Sequence, residues 1–142
     1  VVARGSSAPN LLGKFNDKTT IEADHNADGR CNNDVYFSWS RFTGNGGVVI
    51  YFSRSTDHGA TFSSPMKLTP SIHDVQFPDI SVTGNGHVYV TFRQFDGGGK
   101  DPNASSFLCN LQGSCGSPMP LRRCSFRRVP SRPSPAPAAS TS

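Results

Sequence analysis

The sequence predicts an all-β fold of antiparallel strands, and three observations predict it. The 142 residues contain a single Glu, Glu22, against nine Asp, whereas a helical chain uses Glu, Leu, Ala and Lys freely. Gly 14 and Pro 11 supply frequent turns. Apolar residues recur at every second position in short runs, and no segment has the period of an amphipathic helix. The length suits one domain or part of a larger one. No stretch approaches the roughly 18 apolar residues of a membrane-spanning helix.

Residues 1–16 show no periodicity, and the irregular lead-in is drawn over residues 1–18. Thr19–Ala23 is a weak strand, and Val35–Phe42 is a strong one in which aromatics alternate with small polar residues. Gly47–Arg54 is the third. Thr61–Ser63 begins a short fourth, and Pro65 marks it as an edge. Asp79–Thr83 and His87–Phe95 are the fifth and sixth. Gly44-Asn45-Gly46-Gly47 and Gly84-Asn85-Gly86 provide the positive-φ positions that tight hairpins require.

An internal repeat runs through these strands. A shift of 53 residues places Val35-Tyr36-Phe37-Ser38-Trp39 on Val88-Tyr89-Val90-Thr91-Phe92, with Gly44 on Gly97 and Gly46 on Gly99. A period near 50 with about four strands per unit is the signature of β-propeller blades. The expected architecture is therefore a set of antiparallel four-stranded propeller blades, incomplete in this chain. Residues 19–103 hold one complete blade and one partial blade. Such units bury their faces against neighbours, so the isolated chain is expected to be marginally stable or to associate.

The most informative segment is Ser55-Thr56-Asp57-His58-Gly59-Ala60-Thr61-Phe62, between the third and fourth strands. An Asp carboxylate in a tight hairpin accepts hydrogen bonds from the N–H groups of its own turn. Gly59 suits the left-handed position, the Thr61 hydroxyl closes the loop, and Phe62 packs beneath it. The segment resembles the Asp-box, Ser/Thr-x-Asp-x-Gly-x-Thr-Trp/Phe, of the BNR repeats in sialidase-type propellers. Tyr51-Phe52-Ser53-Arg54 before it, Ser63-Ser64-Pro65-Met66-Lys67-Leu68 after it, and Asn16-Asp17-Lys18 at the blade opening fit as well. The resemblance covers about residues 16–100. In that family the box is structural and lies at the blade periphery. The resemblance thus gives Ser55, Asp57, Gly59, Thr61 and Phe62 a structural role.

The resemblance also implies a chemistry to look for. Sialidases use a Tyr nucleophile with an acidic partner, and three Arg clamp the substrate carboxylate through planar bidentate contacts. The Tyr/Phe-Arg-Ile-Pro motif of the first Arg is absent, and no Tyr–Glu pair can be placed because Glu22 is the only Glu. Arg41, Arg54 and Arg93 fall on strands with no sign of convergence, and Arg54 is expected to be a solvated strand residue. Asp24, Asp34 and Asp79 fall at strand ends, where a propeller exposes residues in its central funnel. No residue is assigned as catalytic. The resemblance implies a secreted or extracytoplasmic parent, an exo-glycosidase of sialidase type acting on glycans, with this chain itself inactive and the remaining propeller blades as its partners. The alternative is a non-catalytic propeller scaffold that binds a glycan or a protein.

Asp24-His25-Asn26-Ala27-Asp28-Gly29 matches the first half of a calcium loop. An EF-hand would need a Glu where Val35 stands, and helices where strands flank the loop. Two readings stay open: a β-loop calcium site using Asp24, Asn26, Asp28 and Asp34, or a polar hairpin loop. His25, His73 and His87 show no zinc spacing.

Residues 104–142 differ from the rest. Residues 1–103 carry nine Lys/Arg and all ten acids, whereas the tail carries five Arg and no acid. Cys109, Cys115 and Cys124 lie in it, and they pair completely only if Cys31 joins them. Ser105–Cys109 reads as a stub of strand. The rest lacks the apolar periodicity to fold alone and reads as a disordered, low-complexity Pro/Ser/Arg segment. One reading is a basic arm for anions or nucleic acid, nucleic acid being the less expected partner. Another is a Cys-bearing secreted tail. A third is a change of reading frame near codons 101–106. Asn103-Ala104-Ser105 is a glycosylation sequon.

Overall fold

Eight strands make two four-stranded antiparallel sheets in a computed structural model of the chain: β1 (Lys14–Ala23), β2 (Val35–Thr43), β3 (Val48–Ser55), β4 (Met66–Lys67), β5 (Val75–Val82), β6 (Val88–Gln94), β7 (Ser105–Leu111) and β8 (Arg127–Val129). Sheet A runs β1-β2-β3-β4 and sheet B runs β5-β6-β7-β8, so each is an up-and-down meander in chain order. The structure describes residues 1–6, 13–25, 32–44, 46–95, 105–111 and 127–129, the last two stretches by their backbone, with Cys109 in full. The described residues contain no helix.

Two strands begin earlier than the period-two pattern. β1 starts at Lys14 inside the lead-in, and β5 starts at Val75 rather than Asp79. The cause is the same in both. β1 is bulged between Asp17 and Thr20, and β5 between Gln76 and Asp79. In each bulge two residues oppose one partner, Lys18 and Thr19 opposite Trp39, and Phe77 and Pro78 opposite Phe92. A bulge switches which residues face the core, so alternation read from the strand's far end stops there. Pro78 is accommodated because a bulge leaves a ladder position unpaired. Lys18 and Phe77 both take the left-handed conformation, at φ 53° and 57°.

The fourth strand lies later than the sequence predicts. Thr61–Ser63 is consumed in closing the loop after β3, and the edge pairing falls on Met66–Lys67, after Pro65. The second sheet has four strands, where a partial blade is expected. β7 pairs with β6 along its whole length, which sets Phe107, Cys109 and Leu111 opposite Phe92, Val90 and Val88. Residues 105–111 thus extend a sheet rather than folding alone, which composition does not disclose. β8 adds a fourth strand at Arg127–Val129. The remainder of residues 104–142 lies outside the described residues.

Two hairpins use one turn chemistry. Gly46 at φ 88° and Gly86 at φ 76° occupy the left-handed positions. The Gly46 N–H donates to the Thr43 carbonyl, and the Gly86 N–H to the Thr83 carbonyl. Glycine meets this requirement without a Cβ clash.

The core lies between the sheets. Tyr36, Ile50, Phe52 and Leu68 of sheet A pack with Val75, Ile80, Val88, Val90, Phe92 and Cys109 of sheet B. Each fully buried apolar side chain of this size contributes roughly 1.5–3 kcal/mol. Ser38 and Ser40 stand between Tyr36 and Phe42 on the same face of β2 and are fully buried. Their small side chains let sheet B approach closely.

The 53-residue repeat equates β2 with β6, the second strand of each sheet. It places Tyr36, Ser38 and Ser40, which face the core, on Tyr89, Thr91 and Arg93, which face away from it. It places Val35, Phe37 and Trp39 on Val88, Val90 and Phe92, which face the core. The sheets therefore stack head to tail, each presenting a different face to their shared interface. On the first strands the equivalence is 59 residues, because the β1–β2 connection is six residues longer than the β5–β6 connection. Lys18 then falls on Phe77, and Ile21 on Ile80.

Candidate functional site

The Asp-box occupies the β3–β4 connection. The Ser55 hydroxyl donates to Asp57 Oδ1 at 2.7 Å and accepts the Gly59 N–H at 2.8 Å. The Thr61 N–H donates to Asp57 Oδ1 at 2.8 Å, and the Thr61 hydroxyl donates to Asp57 Oδ2. The loop is thus tied at both ends to one carboxylate. The Thr61 hydroxyl, then the Ser55 hydroxyl and the Thr61 amide, hold the exposed Asp57 carboxyl down to about 2. Gly59 is left-handed at φ 86°, and so is His58 at φ 59°, which the motif alone does not disclose. Phe62 meets Phe37 edge-on at 6.5 Å. Ser63 anchors the exit: its N–H donates to the Arg54 carbonyl at 2.8 Å, and its carbonyl accepts the Ser53 hydroxyl at 2.7 Å. The Ser55, Asp57, Thr61 and Phe62 side chains are thus all engaged in shaping the loop.

At the same end of sheet A lies a buried polar cluster. Asp34, just before β2, accepts from Arg54 Nε at 3.0 Å and from Arg54 Nη2. The Tyr36 hydroxyl donates to the same oxygen at 3.5 Å. Asp24 is bound alongside through backbone: its N–H donates to the Asp34 carbonyl, and its carbonyl accepts the Asn33 N–H, both at 2.9 Å. The Arg54 and Asp34 side chains are only 10% and 8% exposed. Arg54 is therefore not a solvated strand residue. It shares the parity of Ile50 and Phe52 and so points to the core, where a charge requires a partner. That parity is the signal in the sequence that could have found it.

This cluster joins a tyrosine, a carboxylate and a guanidinium, the residue types of a glycosidase site. Its burial argues against that use. Tyr36 is 1% exposed, and burial pushes its hydroxyl up to about 12. A phenol that keeps its proton and meets no solvent is a poor nucleophile. The three strand arginines also point apart. Arg54 lies on the inner face of sheet A, Arg41 lies on the outer face over the Tyr51 ring at 4.3 Å, and Arg93 lies on the outer face of sheet B over Phe95 at 5.7 Å. Asp79 lies with Arg93 on that outer face, exposed, and accepts the Ile80 N–H at 3.1 Å.

Of the four residues of the calcium reading, Asn26 and Asp28 lie outside the described residues. Asp24 is buried, and Asp34 is committed to Arg54. Among the described residues no group of three or more His, Cys, Asp or Glu is placed to hold a metal ion.

The outer face of sheet A carries a second arrangement. Asn16 Oδ1 accepts from Trp39 Nε1 at 3.0 Å and from Arg41 Nε at 2.9 Å. Trp39 stacks on Tyr51 at 5.7 Å and meets Phe37 at a tilt, with ring centroids 5.3 Å apart. An open cleft of about 370 Å3 sits beside Tyr51, with Lys67, His73 and Thr43 in its wall and no carboxylate among the described residues that line it.

Cys109 is fully buried and disulfide-bonded, its partner lying outside the described residues. No described helix is long and apolar enough to cross a membrane. Comparison of the chain with protein-family models, with curated proteins and with solved structures gives no match.

Proposed function

We propose that this chain contributes Asp-box β-propeller blades to a secreted, sialidase-like protein that acts on glycans, and that the chain itself is not hydrolytic. The observation that carries the reading is the Asp57-centred loop joining the third and fourth strands of a four-stranded meander, the place such a box takes in a blade. Head-to-tail stacking of two meanders supports it, since propeller blades pack in that sense around a ring. The buried disulfide at Cys109 supports an oxidising compartment. The parent's catalytic groups would be supplied by other blades, because this chain's tyrosine, carboxylate and arginine are spent on the fold.

The test is a read of the coding sequence flanking these residues. Further copies of Ser/Thr-x-Asp-x-Gly-x-Thr-Trp/Phe at intervals of about 50 residues are expected. Their absence overturns the propeller reading. The chain alone should release no sialic acid from a fluorogenic sialoside, and release would overturn the non-hydrolytic part.

A second reading, a propeller that binds without catalysis, draws on the same buried Tyr36–Asp34–Arg54 cluster. A parent that retains sialosides without cleaving them would favour it.

A further inference from the structure

The cleft beside Tyr51 is walled by parts that the fold holds in place. It is lined by Tyr51 of β3, Lys67 of β4, His73 of the connection between β4 and β5, and the β2–β3 hairpin at Thr43 and Gly47. Trp39 stacks on the Tyr51 ring at 5.7 Å, with the two planes 19° apart. The chain leaving Lys67 is tied along β3: the Leu68 N–H donates to the Ile50 carbonyl at 2.9 Å, and the Thr69 hydroxyl accepts the Ile50 N–H at 3.0 Å. Ile72, just before His73, packs against the core between the sheets. The volume of about 370 Å3 lies at the lower end of the range for small-molecule sites, about 300–1,000 Å3.

The chemistry of the wall is one-sided. The Tyr51 hydroxyl, the Lys67 ammonium and a ring N–H of His73 can all donate hydrogen bonds. None of these three side chains hydrogen-bonds to another described residue. Arg41 brings a second full positive charge. Its guanidinium lies 4.3 Å from the centroid of the Tyr51 ring, and its Nε donates to Asn16 Oδ1 at 2.9 Å. Among the described residues the ion pairs are Lys18–Asp17 and Arg54–Asp34, so Arg41 and Lys67 meet no carboxylate there. Asp24, Asp34 and Asp57 lie at the far end of sheet A, where Val35 pairs with Ser55, whereas the cleft lies at the end where Phe42 pairs with Val48. Asp74 follows His73 but does not line the cleft. Donors and positive charge together suit an oxyanion, and three donor side chains match the three terminal oxygens of a sulfate or phosphate ester.

We propose that this cleft binds a sugar-sized molecule through a sulfate or phosphate ester, with Lys67, His73 and Tyr51 as its contacts and Arg41 as a fixed charge over the Tyr51 ring. The proposal does not require the Asp-box reading. Flanking sequence without further boxes would sink that reading and leave this one standing.

Isothermal titration calorimetry of the full chain at low salt tests it, with glucose 6-sulfate and glucose 6-phosphate as probes and glucuronate and glucose as controls. At least one of the two esters should bind saturably, and the tighter of them identifies the ester. Glucuronate, whose carboxylate has two oxygens, should bind more weakly, and uncharged glucose should not bind. Added salt should weaken the binding, because Lys67 is exposed. Lys67→Gln, His73→Gln and Tyr51→Phe should each weaken it about tenfold, the size expected for one hydrogen bond to a charged group. Lys67 and His73 are exposed, and Tyr51→Phe keeps the stacked ring, so the fold should persist, with an unchanged melting temperature as the control. Arg93→Gln removes one charge from the outer face of sheet B and should bind as wild type does. Equal weakening by Lys67→Gln and Arg93→Gln would mean that net charge, not the cleft, attracts the anion, and would overturn the proposal. Tighter binding of glucuronate or glucose than of both esters, or no binding of either ester at the highest concentration reached, would overturn it as well.

Discussion

Lys18 and Phe77 hold the same place in two sheets and touch each other: the Lys18 ammonium lies 5.3 Å from the centroid of the Phe77 ring. Each is the left-handed residue of a bulge in the first strand of its sheet. Left-handed backbone costs an L-residue roughly 1–2 kcal/mol, so two bulky residues holding it at matched sites point to a shared geometric need. The bulge adds one residue to β1 without shifting its register against β2. With Lys18 deleted, Thr19 alone would oppose Trp39 and Asn16 would stay opposite Arg41, so the contacts from Asn16 to Trp39 and Arg41 should persist. The deletion should therefore remove the Lys18–Phe77 contact and the left-handed residue while leaving the emission of Trp39, the only tryptophan, unchanged. Lys18→Gly, which keeps the bulge, should leave the emission unchanged as well. A red-shifted, weaker emission from the deletion variant alone would refute this account.

Arg54 and Asp34 form a pair that the fold cannot lose by halves. Both side chains are nearly buried, and removing one partner leaves the other as an uncompensated charge. Arg54→Met is expected to cost about 3–5 kcal/mol. Adding Asp34→Asn to it removes the stranded charge and should recover a substantial part of that loss. Urea unfolding of the two variants checks this. A double variant no more stable than the single one would show that packing of the arginine stem, not charge pairing, carries the effect.

These two cases show where the sequence is legible and where it is not. Strands with unbroken alternation, β2, β3 and β6, lie within a residue of their predicted bounds. β1 and β5 were cut short at the bulges, since a period-two pattern carries no information across a residue that breaks it. The box at Ser55–Phe62 was readable because its residues act on one another within one loop. The Asp34–Arg54 pair was not, because it joins residues twenty apart whose meeting depends on the register of β2 against β3. Of β7 only the stub at Ser105–Cys109 is legible, because composition describes what a segment can do alone, whereas these residues lie along the whole of β6.

Asp57 should make stability depend on acid. Its folded value, about 2, lies below the usual carboxylate range. The unfolded chain therefore binds the proton more readily, and the contribution of Asp57 is present above about pH 4 and is lost as pH falls towards 2. Asp57→Asn should be less stable than wild type at neutral pH and should show a shallower loss of melting temperature between these limits. Parallel melting curves for the two proteins across this range would contradict the role assigned to the carboxylate.

Ser38 and Ser40 sit two residues apart on the same face of β2, both fully buried, and should respond to alanine with opposite signs. The Ser38 hydroxyl donates to the Tyr51 carbonyl at 2.7 Å. The Ser40 hydroxyl finds no hydrogen-bond partner among the described residues. Burying an unmade hydrogen bond is costly, whereas a made one contributes modestly. Ser38→Ala should therefore destabilise by about 1 kcal/mol and Ser40→Ala should stabilise by about 1 kcal/mol. Because both substitutions remove one oxygen from the same packed layer, their cavity terms nearly cancel in the comparison. The difference between them, read from chemical unfolding midpoints at a common slope, isolates the hydrogen bond. Equal losses for the two would mean that shape, rather than polarity, decides what the centre of this interface tolerates.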